Sequence, residues 1–102
     1  MPKFSIKYAP EALEEIKLIG DYYNSLVNGL GLRFKKNLLA AIKILKLNPV
    51  YNSFRYDEVR FAIVKKFPYA IHYTIDQTKN IIKIQAVLGF SQNPDINWMI
   101  RF

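Results

Sequence analysis

The sequence contains no cysteine and only one histidine, His72. The first absence excludes a disulfide framework, a thiolate nucleophile and any cysteine-ligated metal. The second excludes a metal site built from several histidines. No apolar run approaches the ~20 residues that a membrane-spanning helix needs, and no charged-then-apolar leader opens the chain. A soluble, unprocessed protein without metal or cofactor is therefore expected. There is no internal repeat, low-complexity tract or linker, so residues 1–102 read as one domain. What is abundant is core material: 51% of the 102 residues are hydrophobic and 15% aromatic, enough to bury a single core.

Carboxylates are the other scarcity, with 8 acidic against 15 basic residues and a net charge of +7. Residues 1–24 carry three lysines against four carboxylates. The excess therefore lies entirely in residues 25–102, where 12 basic groups face 4 acidic ones. A small basic domain of this kind is expected to meet an acidic partner, either nucleic acid or protein. The cations are spread over several elements and not gathered on one amphipathic helix, which argues against a membrane surface.

Lys3-Phe4-Ser5-Ile6-Lys7-Tyr8 alternates with period two and predicts a strand. Pro10 then opens a helix, with Glu11, Glu14 and Glu15 at its dipole-favoured start and an apolar stripe through Leu13, Ile16, Ile19 or Gly20, Tyr23 and Val27. Asn28-Gly29-Leu30-Gly31 breaks it. A second helix runs to about Leu47, burying Phe34, Leu38, Ile42 and Leu45, and is stopped by Asn48-Pro49. The short link implies an antiparallel helical hairpin. Beyond a connection at 50–57, period two returns around Val59–Val64, Tyr69–Asp76 and Ile82–Leu88, a meander of three strands.

The expected fold is α+β, ordered β-α-α-β-β-β. An N-terminal strand and a two-helix hairpin pack on one face of a small antiparallel sheet, and a short helix or tail closes the chain. On this reading the far face of the sheet carries Arg60, His72, Thr74, Lys83 and Gln85, with Ala62, Val64, Ala70 and Val87 between them.

Several phrases in this order resemble the RelE/ParE superfamily of bacterial type II toxin–antitoxin toxins. They are Tyr8-Ala9-Pro10-Glu11-Ala12, Asp21-Tyr22-Tyr23, Arg33-Phe34, Asn48-Pro49 and Val59-Arg60. Lys66-Phe67-Pro68-Tyr69-Ala70-Ile71-His72-Tyr73 and Ile84-Gln85-Ala86-Val87-Leu88 follow, with Asn93-Pro94 and Trp98 near the end. The most specific is the Lys-Phe-Pro-Tyr turn with its alternating strand, which looks like the ParE branch. The resemblance implies a cytoplasmic toxin held inactive by a cognate antitoxin in a toxin–antitoxin hetero-oligomer. RelE-like members cleave mRNA in the ribosome, whereas ParE-like members poison DNA gyrase. Family members commonly carry histidine and arginine where this sequence has Gly89 and Gln92. That arginine stabilises charge on the scissile phosphate in the RNA-cleaving branch, and a neutral amide gives weaker stabilisation there. Gyrase binding without chemistry is thus the first reading. A ribosome-dependent mRNA endonuclease is the second, and a non-toxic antitoxin-binding descendant the third.

RNA cleavage needs cations around the phosphorane and a proton shuttle. Arg60, Lys65, Lys66 and Arg101 are the candidate cations, and His72 or Tyr69 the candidate shuttle. The residues expected to contact target or antitoxin are Arg60, Lys65, Lys66, His72, Lys83, Trp98 and Arg101. Each has a plainer reading beside it: a hydrogen-bonded strand histidine for His72, a solvated turn for Lys65 and Lys66, simple packing for Trp98. A base-stacking role for the aromatics requires exposed rings beside basic groups.

Overall fold

The computed structural model describes residues 3–90. Trp98, Arg101, Gln92 and the expected C-terminal helix or tail lie outside the described residues. Strand β1 (Ser5–Tyr8) leads into helix α1 (Pro10–Leu26), followed by helix α2 (Leu30–Leu47). Strands β2 (Phe54–Tyr56), β3 (Val59–Ile63), β4 (Tyr69–Asp76) and β5 (Ile81–Gly89) complete the order. This is the expected α+β arrangement, with the helical hairpin packed on a sheet.

Pro10 occupies the first turn of α1, where its missing N–H costs nothing. Gly29, at φ 86°, makes the left-handed turn into α2. Two residues later Gly31 allows the helices to touch. A Cβ there would collide with the Gly20 carbonyl oxygen, and the Gly31 N–H instead donates to Asn24 Oδ1 at 2.8 Å. Phe34, Leu38, Ile42 and Leu45 are all buried, as the 3.6-residue spacing predicts. Each such side chain contributes about 1.5–3 kcal/mol on burial, far more than helix propensity offers a segment of this length. On α1 the stripe differs. Ala12 and Gly20 are buried, while Leu13 and Val27 are exposed. Val27 is the helix C-cap in extended conformation, so the helical period has already ended there.

The sheet has five strands in the order β1-β5-β4-β3-β2. β1 joins it parallel to β5, with Ser5 opposite Ile81, and the remaining pairs are antiparallel. The sheet is therefore mixed, because a strand that precedes a hairpin lying across the sheet re-enters alongside the last strand. β2 adds a short edge strand within the stretch read as a connection.

The faces of β3 and β5 run in a different phase from the sequence reading. Tyr73 opposes Arg60 and Ile84, and Ile71 opposes Ala62 and Val87. Ala62, Val64 and Val87 thus belong to the main core beneath the helices, together with Ile71, Tyr73, Ile82 and Ile84. His72 opposes Phe61 and Ala86 on the far face, where Val59, Ala86 and Leu88 form a second cluster with Tyr56. The cause in β5 is a bulge. His72 pairs with Ala86 and Tyr73 with Ile84, leaving Gln85 as the extra residue and inverting the alternation after it. Among the described residues, no helix is long and apolar enough to cross a membrane.

Candidate target and partner surfaces

Arg60 lies on the helix side of the sheet, which corrects its expected far-face position. Its strand partner is the core residue Tyr73, and the row ends beyond the helices where a charged head reaches the rim. There its Nη1 donates to the carbonyls of Asn52 and Val50 (3.3 Å to the latter), and the guanidinium sits 4.1 Å from the Phe54 ring centroid. Tyr73 holds the same connection from inside, its hydroxyl donating to the Pro49 carbonyl at 2.8 Å and accepting from Asn52 Nδ2 at 3.2 Å. Arg60 and Tyr73 together pin residues 49–52 to the sheet.

Lys65 and Lys66 occupy the turn at the other end of β3, both exposed. The turn closes through Val64 N–H to Tyr69 O and Phe67 N–H to Val64 O, with Lys66 at φ 70°. Phe67 and Tyr69 insert into an aromatic cluster with Tyr23 and Phe34, Phe67 lying 5.0 Å from Tyr23 and 5.3 Å from Phe34, centroid to centroid. Asn37 Nδ2 donates to the Lys65 carbonyl at 3.0 Å. The turn that carries the Lys66-Phe67-Pro68-Tyr69 phrase therefore presents Lys65 and Lys66 to solvent, while Phe67 and Tyr69 anchor it against the core. β3 separates these lysines from Arg60 by roughly 16 Å at ~3.3 Å per residue.

His72 is on the far face as expected, but it is only 2% exposed. Its ring packs tilted against Phe61, centroid to centroid 4.1 Å, and Nδ1 lies 2.7 Å from the Tyr56 hydroxyl. Burial lowers its pKa from 6.5 to about 4, so at neutral pH the imidazole is uncharged and shares a hydrogen bond with the Tyr56 hydroxyl whose direction the ring tautomer sets. Lys83 shares the far face, opposite Thr74, and Gln85 Nε2 donates to Thr74 Oγ1 at 3.0 Å. The centre of the face is closed, since Gln85, Ala86 and Leu88 are buried along with His72.

The sequence reading missed the exposed apolar groups. Leu18, Tyr22 and Leu26 form an exposed stripe along α1 at four-residue spacing. Ile44, Leu47, Val50, Tyr51 and Phe54 gather around the end of α2 and the connection to β2. The first stripe is visible as periodicity only when α1 is read as having two apolar faces. The second crosses an element boundary and leaves no period.

A helical hairpin over a mixed sheet, a cationic turn locked by aromatics and exposed apolar strips define a small basic α+β domain. The chain matches a family model described as ParE toxin of type II toxin-antitoxin system, parDE, over residues 6–94. It belongs to that family. A solved structure titled "Chromosomal ParDE TA system from P. aeruginosa" has the same fold, with a TM-score of 0.74 and 16% sequence identity. That likeness covers 85% of this chain and 96% of that one. Among curated proteins, no match to the sequence was found.

Proposed function

We propose that this type II toxin–antitoxin toxin acts as one domain in the cytoplasm, where it arrests growth by binding DNA gyrase. A cognate antitoxin neutralises it within a toxin–antitoxin hetero-oligomer. Membership of the ParE toxin family supports the gyrase branch. The observation that carries the reading is the scattering, among the described residues, of the groups a nuclease needs. Arg60 is committed to the carbonyls of Val50 and Asn52, and Lys65 and Lys66 stand at the far end of β3. His72 is buried, neutral and engaged with Tyr56. A phosphorane needs cations and a proton shuttle within hydrogen-bond reach of one point. This spacing favours binding over chemistry, with Lys65, Lys66 and Lys83 as surface contacts.

The test is tightly regulated expression in bacteria, without and then with the neighbouring open reading frame. Arrest relieved by the neighbour, with stabilised gyrase–DNA cleavage complexes and intact mRNA, is the expected result. Codon-linked mRNA cuts in translating extracts, with no cleavage complexes, would replace the gyrase reading by an endonuclease. Normal growth with folded protein and tight antitoxin binding would point to a non-toxic descendant.

A further inference from the structure

Helices α1 and α2 are joined through residues 27–29, and Asn28-Gly29 is the one place in the sequence where asparagine precedes glycine. That pair has a chemistry of its own. The main-chain nitrogen after an asparagine can attack the side-chain carbonyl carbon and close a five-membered imide. Glycine hinders the approach least, because it has no Cβ. The other described asparagines are set against this reaction by their neighbours or their bonds. Asn48 precedes Pro49, which has no N–H to give up. Asn80 precedes the branched Ile81. The side-chain amides of Asn24, Asn37 and Asn52 are held by Gly31, Lys65 and Tyr73 respectively.

Around Asn28 the way is open. Asn28 and Gly29 are both exposed, and nothing lies within 4 Å of the position a Gly29 Cβ would take. Among the described residues, neither the Asn28 side chain nor the Gly29 N–H is engaged in a hydrogen bond. The Leu30 N–H closes the turn on the Val27 carbonyl at 3.1 Å, with Gly29 at φ 86° and ψ −8°. Those angles at the third position make the turn type II. Ring closure needs the Asn28–Gly29 peptide to rotate out of that turn, and the hydrogen bond between Leu30 and Val27 is what holds it there.

We propose that Asn28-Gly29 is a self-modifying site, which deamidates in the folded chain and so loosens the joint of the helical hairpin. Gly29 N gives its proton to hydroxide and its electron pair forms a bond to Asn28 Cγ. The Cγ–Nδ2 bond breaks, and the leaving nitrogen takes a proton from water and departs as ammonia. Water then adds across one of the two imide bonds. Opening between Gly29 N and Cγ keeps the course of the chain and leaves aspartate at position 28. Opening between Gly29 N and the Asn28 main-chain carbon leaves isoaspartate, with the chain running through the side chain and one carbon longer. In total one water is taken up and one ammonia released.

The two products differ in effect. A carboxylate just before α2 suits the positive end of its dipole. The added carbon of isoaspartate instead shifts the start of α2 against α1, where Gly31 packs on the Gly20 carbonyl and donates to Asn24 Oδ1 at 2.8 Å. That contact has no room for a methyl group and little for a longer link. This chemistry does not depend on the gyrase reading.

The test is ageing of the folded full chain at mildly alkaline pH beside a capped peptide of residues 25–32, followed by ion-exchange chromatography and tandem mass spectrometry. Loss of ammonia and then gain of water is expected at Asn28 ahead of Asn24, Asn37, Asn52 and Asn80. The rate should be no more than about tenfold below the peptide's, which is the effect of one turn hydrogen bond. Asn28→Ser, at an exposed position, should abolish the change. The isoaspartyl chain is recognised by an isoaspartyl methyltransferase and separated by ion exchange. It should melt several degrees below fresh protein and exchange its Gly31 amide faster. Asn28→Asp, which carries the charge without the extra carbon, should melt with the fresh protein. Slower deamidation than this in the folded chain, or reaction first at another asparagine, overturns the proposal. So does aspartate as the only product, or an isoaspartyl chain that melts with Asn28→Asp.

Discussion

The Glu15 carboxylate of α1 accepts a hydrogen bond from the Val87 backbone N–H of β5 at 3.0 Å, across 72 residues of sequence. β1 covers the outer edge of β5 only from Ile81 to Ile84, and Ala9 N–H closes that pairing on the Ile84 carbonyl. Beyond it the edge of β5 faces α1, and a side chain does what a neighbouring strand would have done. Glu15→Ala is expected to cost about 1–3 kcal/mol, because the N–H it leaves is buried and loses a charge-assisted acceptor. Urea denaturation measures the loss, and faster hydrogen exchange at the Val87 amide localises it.

The contact between the helices at Gly31 makes a sharper prediction. Gly31→Ala forces a methyl into the Gly20 carbonyl and Asn24 side chain, so a destabilisation of about 1–3 kcal/mol is expected from overpacking. Gly29→Asn, two residues earlier, meets nothing within 4 Å and has only its positive φ to satisfy, which asparagine tolerates. Thermal melts should separate the two variants by several degrees.

His72 gives the fold a pH dependence with a definite sign. Its folded pKa of about 4 lies below the ordinary 6.5, so the unfolded chain binds the proton more readily between those values. Stability contributed by the neutral ring is full above about pH 6.5, declines as pH falls towards 4, and is lost below that. The whole effect is of the order of 3 kcal/mol. Carboxylates titrate in part of this window, so the informative quantity is the difference between the wild-type and His72→Asn stability profiles. That difference should slope between pH 6.5 and 4 and be level above it.

Arg60 is expected to act on architecture before target. Arg60→Ala releases the carbonyls of Val50 and Asn52, and Tyr73→Phe releases that of Pro49. Each should cost about 1–2 kcal/mol. The two should be less than additive, because both hold the same segment. A double-mutant cycle by chemical denaturation checks this, with hydrogen exchange across residues 50–52 as the local readout.

The parts legible in the sequence were those whose period has one interpretation. Phe34, Leu38, Ile42 and Leu45 repeat at helical spacing on a helix with lysines elsewhere, and nothing in the fold disturbs them. Pro10 and Asn48-Pro49 set the helix ends by backbone chemistry alone. Strict alternation gives β5 the wrong phase after Ile84, because one inserted residue at Gln85 exchanges the two faces and both faces are apolar. Arg60 was misplaced for a related reason: Tyr73 decides its side of the sheet, and alternation within β3 does not reveal which row faces the helices. Phe54–Tyr56 is too short to show a period at all. For the candidate surfaces, residue types identify Lys65 and Lys66 as an exposed turn, whereas the exposed apolar group from Ile44 to Phe54 crosses the boundary between α2 and β2 and carries no period.

The parallel pairing of β1 with β5 has a consequence for biosynthesis. Ser5 and Ile81 are 76 positions apart, so β1 leaves the ribosome well before the strand it pairs with. At 5–20 residues per second that interval is roughly 4–15 s. During it the helical hairpin exists without the β4–β5 floor that buries its apolar side. The nascent chain thus passes through a period when its apolar surfaces are open to whatever protein is being made beside it.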